Sequence, residues 1–158
     1  MKAKLAIACA TAFLAGCVSS PLGKQVGDIP PSGNQSEVFI YRPKDNAVNY
    51  FEALISGKKA SWNLKNGGVI IEKVPAGDHT FRIQSADWIK RKNVESNTVQ
   101  FRVEAGKRVY IRAKMTGGHE RILFVSGRHM YSLYYVFTSE VVSEETAQSE
   151  ARDLHYVW

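Results

Sequence analysis

Cys17 is the residue whose neighbours point most directly to a chemical reaction in this 158-residue chain. It follows Leu14-Ala15-Gly16, and two lysines, Lys2 and Lys4, precede the apolar run that leads to this tract. A positively charged start, a hydrophobic stretch too short to span a membrane and small residues at a cut are typical of a cleaved export signal. The cysteine stands where an ordinary export signal would have any small residue. The pattern predicts that residues 1–16 are a signal and are removed.

The tract Leu14-Ala15-Gly16-Cys17 resembles the lipobox of bacterial lipoproteins. The resemblance implies that the Cys17 thiol takes a diacylglyceryl group, that the chain is cut before it, and that the new amine is acylated. Two or three acyl chains would then hold the protein on a membrane, because each buried methylene contributes about 0.8 kcal/mol. Val18 and Ser19, rather than an aspartate, follow the cysteine, which in enteric-type lipoproteins implies the periplasmic face of the outer membrane. The alternative is an ordinary export signal with a chance cysteine at the cut.

Composition limits what the mature chain can be. Removal of the first 16 of 158 residues leaves 142, which is room for one domain. Cys9 is lost with the signal and Cys17 is used by the lipid, so no thiol remains for a disulfide or a cysteine-rich metal site. The net charge of +6 falls to +4 without Lys2 and Lys4. This excess suits anionic envelope surfaces but is too mild for a nucleic-acid partner, which export also disfavours.

One segment and one domain follow the signal. Residues 17–36 are rich in Ser, Pro and Gly, and we predict a lipidated flexible tether there. Residues 37–158 alternate apolar and polar side chains in short runs separated by turns such as Asn66-Gly67, which predicts an antiparallel β-sandwich. The runs 121–126 and 131–138 are apolar on both faces, which predicts a place inside the sheet or beneath the last helix. That helix is expected at about residues 143–154, with Ser143 as its N-cap.

Several tracts also resemble bacterial lipoproteins that carry "domain of unknown function 2846". The resemblance rests on the opening strand, on turns and on the closing helix: Val38 to Pro43, Gly57 to Lys59, Leu64 to Gly68, Val74 to His79, Glu104 to Arg112 and Val142 to Leu154. It implies an immunoglobulin-like sandwich in the cell envelope. It implies no activity and no cofactor.

Catalytic patterns are weak in this chain. The four histidines, His79, His119, His129 and His155, show no ligand-like spacing, and we expect no metal. Val125-Ser126-Gly127 lacks the first glycine of a nucleophile elbow. We therefore predict a protein that is not an enzyme and needs no cofactor. The predicted function is a lipid-anchored interaction or structural module, with a glycan-binding or anionic-polymer-binding module as the alternative.

Two sets of residues are candidates for binding. Strand alternation predicts one outward, cationic sheet face that could meet lipopolysaccharide, peptidoglycan or an acidic partner, formed by Arg82, Arg102, Arg108, Tyr110 and Arg112. The alternative is a merely solvated face. The second set is a loop that could rest on a membrane interface or contact an envelope protein, formed by Trp88, Ile89, Lys90, Arg91 and Lys92. The alternative there is a tryptophan buried in the core.

Overall fold

The computed structural model describes residues 23–45, 51–85, 94–125 and 127–157, and for residues 62, 119–125 and 128–133 it describes the backbone alone. The chain is mainly β, as the sequence predicts. Its elements are β1 (Glu37–Tyr41), β2 (Phe51–Ile55), β3 (Lys58–Leu64), β4 (Gly68–Lys73), β5 (Gly77–Ser85), β6 (Val94–Ser96), β7 (Val99–Val103), β8 (Arg108–Val125), β9 (Arg128–Val142), α1 (Glu144–Ala151) and β10 (His155–Tyr156). No described helix is long and apolar enough to cross a membrane.

The strands form two sheets with different pairing. The four-stranded sheet has the order β3-β2-β5-β7 and is antiparallel throughout. The six-stranded sheet has the order β10-β4-β1-β8-β9-β6 and is mixed, because β1–β8, β10–β4 and β6–β9 run parallel. The antiparallel prediction is therefore wrong for this sheet. Strands such as β1 and β8 lie far apart in sequence, so no tight hairpin fixes their relative direction.

Two apolar layers lie on opposite sides of the six-stranded sheet. Val38 and Ile40 of β1 enter the core shared with the four-stranded sheet, whereas Phe39 and Tyr41 enter a second cluster with α1. Both faces of β1 are thus covered, which explains why all five of its residues are buried. The arrangement of two facing sheets is consistent with a β-sandwich.

The helix covers the second layer. Ser143 is its N-cap, as predicted, and the Ser143 Oγ accepts a hydrogen bond from the Thr146 N–H at 3.1 Å. Ala147 and Ala151 are fully buried, and their small side chains let the helix lie close to the sheet. Helical structure ends at Ala151, earlier than the predicted residue 154, because the chain turns there and continues into β10.

The N-terminal segment differs from the sequence-based expectation. Val26 and Ile29 are buried in the second layer, although the predicted tether covers them. The Gly23 N–H donates to the Tyr156 carbonyl at 2.9 Å, and the Val26 N–H donates to the Leu154 carbonyl at 2.8 Å. The tether prediction therefore does not hold for residues 23–29. The burial of Val26 and Ile29 and the backbone hydrogen bonds hold this segment against the domain. Its overall composition is nevertheless typical of a linker.

The ends of β8 and β9 extend past their neighbours. β1 pairs with β8 only at residues 108–112, and β6 pairs with β9 only at residues 135–137. Residues 119–125 and 127–134 form what we call the hairpin arm, and within the described chain its two strands pair only with each other. The arm is about 20–25 Å long, given a rise of about 3.3 Å per residue. The doubly apolar runs thus lie largely in this arm rather than beneath α1.

Candidate functional site

The five residues of the predicted cationic face belong to two different sheets. Arg82 and Arg102 are exposed on β5 and β7, whereas Arg108, Tyr110 and Arg112 belong to β8. The alternation of each strand is correct, since Phe81, Phe101 and Ile111 do face the shared core. However, two sheets packed face to face turn their outer faces in opposite directions. The structure therefore does not bring these residues together, and α1 with the N-terminal segment covers the outer face at β8.

Arg108 is an internal ion-pair partner rather than a surface cation. Its side chain is only 4 % exposed, and its Nε donates to the Glu37 carboxylate at 3.0 Å. Glu37 and Arg108 are register partners on β1 and β8, so the pairing follows from strand alignment. The Arg108 Nη1 also donates to the Pro30 carbonyl at 2.6 Å. This arginine thus binds the N-terminal segment to the sheet.

Tyr110 is a core residue of the second layer. It is 6 % exposed, and its ring centroid lies 5.6 Å from that of Phe39. Burial, together with a hydrogen bond to Glu144, raises the pKa of the Tyr110 phenol. A ring in this position is not available for stacking on a sugar or another ligand.

Arg112 links the sheet to the helix. Its Nη2 lies 2.8 Å from the Glu140 carboxylate, and its Nη1 donates to Glu150 of α1. The Tyr41 hydroxyl donates to the other Glu150 oxygen at 2.6 Å. Burial and this hydrogen bond raise the pKa of Tyr41 far above its ordinary value. Hydrogen bonding to Glu140 raises the pKa of Arg112 as well. The cluster holds α1 in place and leaves Arg112 little capacity for an external anion.

Arg102 is exposed but neutralised. Its Nη1 lies 3.2 Å from each carboxylate oxygen of Asp78, and the two side chains are 71 % and 78 % exposed. On β5 and β7, the outer face therefore carries the cation Arg82 beside an Asp78–Arg102 ion pair.

Two other predicted sites lie outside the described residues. They are the lipidation site Cys17 and the interface loop with Trp88, Ile89, Lys90, Arg91 and Lys92. Both stay predictions. No group of three His, Cys, Asp or Glu side chains within the described chain is close enough to hold a metal ion.

The structure also brings together Ser56 and His79, which the sequence reading did not connect. The Ser56 Oγ lies 3.1 Å from the His79 Nδ1, and the His79 Nε2 lies 2.9 Å from the Pro75 carbonyl oxygen. A carbonyl only accepts, so Nε2 carries a proton, and in the neutral ring Nδ1 accepts from the Ser56 hydroxyl. A cavity of about 630 Å³ lies beside them. Twenty-three residues separate the pair, and no motif connects them in sequence.

Comparison of the chain with protein-family models, with curated proteins and with solved structures finds no match in any of the three. The resemblance to lipoproteins with "domain of unknown function 2846" therefore stays a prediction. What the protein does has to be argued from its own geometry.

Proposed function

We propose that this chain is a lipid-anchored, non-catalytic interaction module of the bacterial envelope, and that the hairpin arm is its contact with another envelope protein. The observation that carries the proposal is the register of the arm, whose strands extend past the described parts of both flanking strands. A two-stranded hairpin on its own is at best marginally stable in water. An arm of this length is expected to gain stability from a partner.

The residue pattern of the arm supports a protein contact. Directly opposed residues of an antiparallel pair share one face. By register, one face carries Ile122, Phe124, Tyr131 and Leu133, and the other carries Leu123, Val125, Met130 and Tyr134. A strand edge that has no strand beside it within the described residues favours pairing with a strand of a partner, in which main-chain hydrogen bonds give affinity and side chains give specificity.

Strand directions favour a protein partner over the membrane. β8 runs parallel to β1, so the arm extends beyond the Tyr41 end of β1. β4 runs antiparallel to β1, β10 runs parallel to β4, and Gln25 pairs antiparallel with His155. Traced from Gln25 back to Gly23, the chain therefore runs opposite to the arm. This direction supports an arm that extends away from a lipid at Cys17.

The packed N-terminal segment also shortens the proposed tether. Gly23 is bonded to Tyr156, so only residues 18–22 separate the proposed lipid from the docked chain. Six extended residue steps reach at most about 20 Å. This supports a domain held close to the membrane surface, at the periplasmic face of the outer membrane in the proposed setting. The immunoglobulin-like connectivity is kept as a finer proposal, supported by the two facing sheets.

Photo-crosslinking in intact cells tests the arm. A benzophenone amino acid is placed at position 124 or 131 of the arm, and at position 141 as the matched control. Val141 is 47 % exposed on the same strand, β9, but lies outside the arm. We expect one protein adduct of the same size from both arm positions and none from position 141. The adduct should disappear when Ile122 and Leu133 are both changed to Asn.

Two outcomes would contradict the proposal. Adducts to lipid alone would assign the arm to the membrane, and equal adducts from position 141 would remove its specificity. The anchor is tested separately by the mass of the purified protein. An acylated N-terminal cysteine is expected for the native chain, whereas Cys17→Ser should keep its signal and carry no added acyl mass.

A further inference from the structure

Ser56 and His79 form a hydrogen-bonded pair that the proposed protein contact does not use. Ser56 lies in the two-residue turn between β2 and β3, and His79 lies near the start of β5. The Ser56 N–H donates to the Thr80 carbonyl at 2.8 Å, which holds this turn against β5. Ser56 is exposed and a cavity of about 630 Å³ lies beside it, so a small molecule can reach the hydroxyl.

The His79 ring is placed to accept the Ser56 proton. The Ser56 Oγ lies 3.1 Å from the His79 Nδ1. The His79 Nε2 donates to the Pro75 carbonyl at 2.9 Å, which leaves Nδ1 of the neutral ring as the proton acceptor. The ring also stacks on Phe101 with centroids 5.7 Å apart, and this contact limits its rotation. A serine bonded to a histidine that a third group orients is the arrangement that activates a nucleophile.

The backbone of the turn adds two features. The φ of Ser56, 48°, is the one positive value at a non-glycine position among the described residues, and Gly57 follows with a φ of 76°. Residues with a side chain that are held at positive φ cluster at functional sites. The Gly57 N–H makes no hydrogen bond within the described residues. The N–H that follows a nucleophile is a common donor to the oxyanion of acyl transfer, so this group has a place in the same chemistry.

We infer that Ser56 is a site of covalent acylation and reacts with an activated carboxylic ester, with His79 as the general base. The Ser56 oxygen forms a bond to the ester carbonyl carbon while its proton passes to the His79 Nδ1. The Gly57 N–H donates to the resulting oxyanion. The bond between that carbon and the leaving oxygen then breaks, and the leaving group takes the proton from the imidazolium. The products are an acylated Ser56 and a free alcohol or phenol.

One acylation per chain is a modification rather than turnover, so it is compatible with the non-catalytic function proposed above. The acylation site depends on neither the hairpin arm nor the lipid anchor. Its failure would therefore leave the proposed protein contact untouched, and the reverse also holds.

Acetylation of the full chain by p-nitrophenyl acetate, followed over time by peptide mass spectrometry, tests this site. Ser56 should gain one acetyl group. Ser149 is the internal control, because it is also exposed but its hydroxyl donates to the Thr146 carbonyl at 2.9 Å rather than to a base. A general base contributes about 10²–10⁴-fold, so Ser56 should react at least about 100 times faster than Ser149.

Two histidine variants identify the base. His79→Gln keeps a polar side chain but removes the imidazole, and it should slow the acetylation of Ser56 about 100-fold or more. His129→Gln removes an imidazole from a position on β9 and should leave the rate unchanged. Circular dichroism of each variant checks that the fold is kept.

Acetylation of Ser56 at the same rate as Ser149, or more slowly, would overturn the inference. That comparison uses the parent chain, so it decides the matter even if His79→Gln fails to fold. An unchanged rate in a folded His79→Gln variant, or an equal slowing in His129→Gln, would overturn the role of His79 and with it the inference.

Discussion

Replacing Arg108 or Arg102 by methionine tests whether the two arginines differ in burial, as in the structure, or share one outward face, as the sequence predicts. Strand alternation treats both as outward arginines on one face. In the structure, the side chain of Arg108 is 4 % exposed and pairs with Glu37, which is 11 % exposed. Arg102 is 71 % exposed and pairs with an equally exposed Asp78. Methionine keeps most of the apolar stem and removes the charge, so the two substitutions are matched.

The expected losses of stability differ by several kcal/mol. Arg108→Met leaves the largely buried Glu37 carboxylate without its donor and also removes the exposed hydrogen bond to the Pro30 carbonyl. Removing one partner of a buried ion pair costs about 3–5 kcal/mol. Arg102→Met breaks a solvent-exposed pair, for which about 0–1 kcal/mol is typical. At about 3 °C per kcal/mol, the melting temperature should fall by roughly 9–15 °C for the first variant and by about 3 °C or less for the second.

Urea denaturation followed by circular dichroism measures both free energies of unfolding. A third variant, Arg108→Met with Glu37→Leu, replaces the whole pair by apolar groups. It should be less destabilised than Arg108→Met alone, because no buried charge is left unpaired. Equal losses for Arg108→Met and Arg102→Met would refute the burial of Arg108. If the double variant is the least stable of the three, the ion pair between Glu37 and Arg108 is refuted.

Three further perturbations test the second layer. Tyr41→Phe removes the hydrogen bond to Glu150 and should cost about 1–2 kcal/mol at neutral pH. The folded protein holds the pKa of Tyr41 above its ordinary value of 10.0, so this contribution is present below pH 10 and is lost as the pH rises further. Between pH 8 and about pH 11, the urea midpoint should therefore fall less steeply for Tyr41→Phe than for the parent chain. Equal slopes would contradict the raised pKa of Tyr41. Ser143→Ala removes the helix cap and should lower the free energy of unfolding by about 1 kcal/mol, whereas Ser149→Ala, outside the cap, should change it less. Val26→Ala should cost about 1–2 kcal/mol from lost burial, and no change would restore the tether prediction for this residue.

Local patterns in the sequence were sufficient for much of the architecture. The alternation Phe81, Arg82, Ile83 gives the correct inward and outward positions because the period of a strand is two residues. Ser143 marks the start of the helix because its hydroxyl satisfies a backbone N–H that has no partner within the helix. Such signals depend on a few neighbouring residues, so a single sequence is enough to interpret them.

The same local patterns do not predict which distant strands pair. Nothing near Glu37 indicates that Arg108, 71 residues later, becomes its register partner. The assignment of β5 and β8 to different sheets follows from topology, and it separates Arg82 from Arg112 although both point outward from the shared core. The same holds for Ser56 and His79, whose contact depends on how the turn after β2 lies against β5.

Charge matching between distant elements explains why Arg108 and Arg112 of β8 are covered. The first turn of α1 carries Glu144 and Glu145, its last turn carries no basic residue, and Glu150 faces the sheet. An acidic helix with few apolar residues needs counter-charges to dock, and Arg112 supplies one from the strand beneath it. A polyanion that competed for this arginine would have to displace a carboxylate attached to the same chain, which acts at an effective millimolar concentration or higher. Arg108 and Arg112 are therefore committed to contacts within the fold.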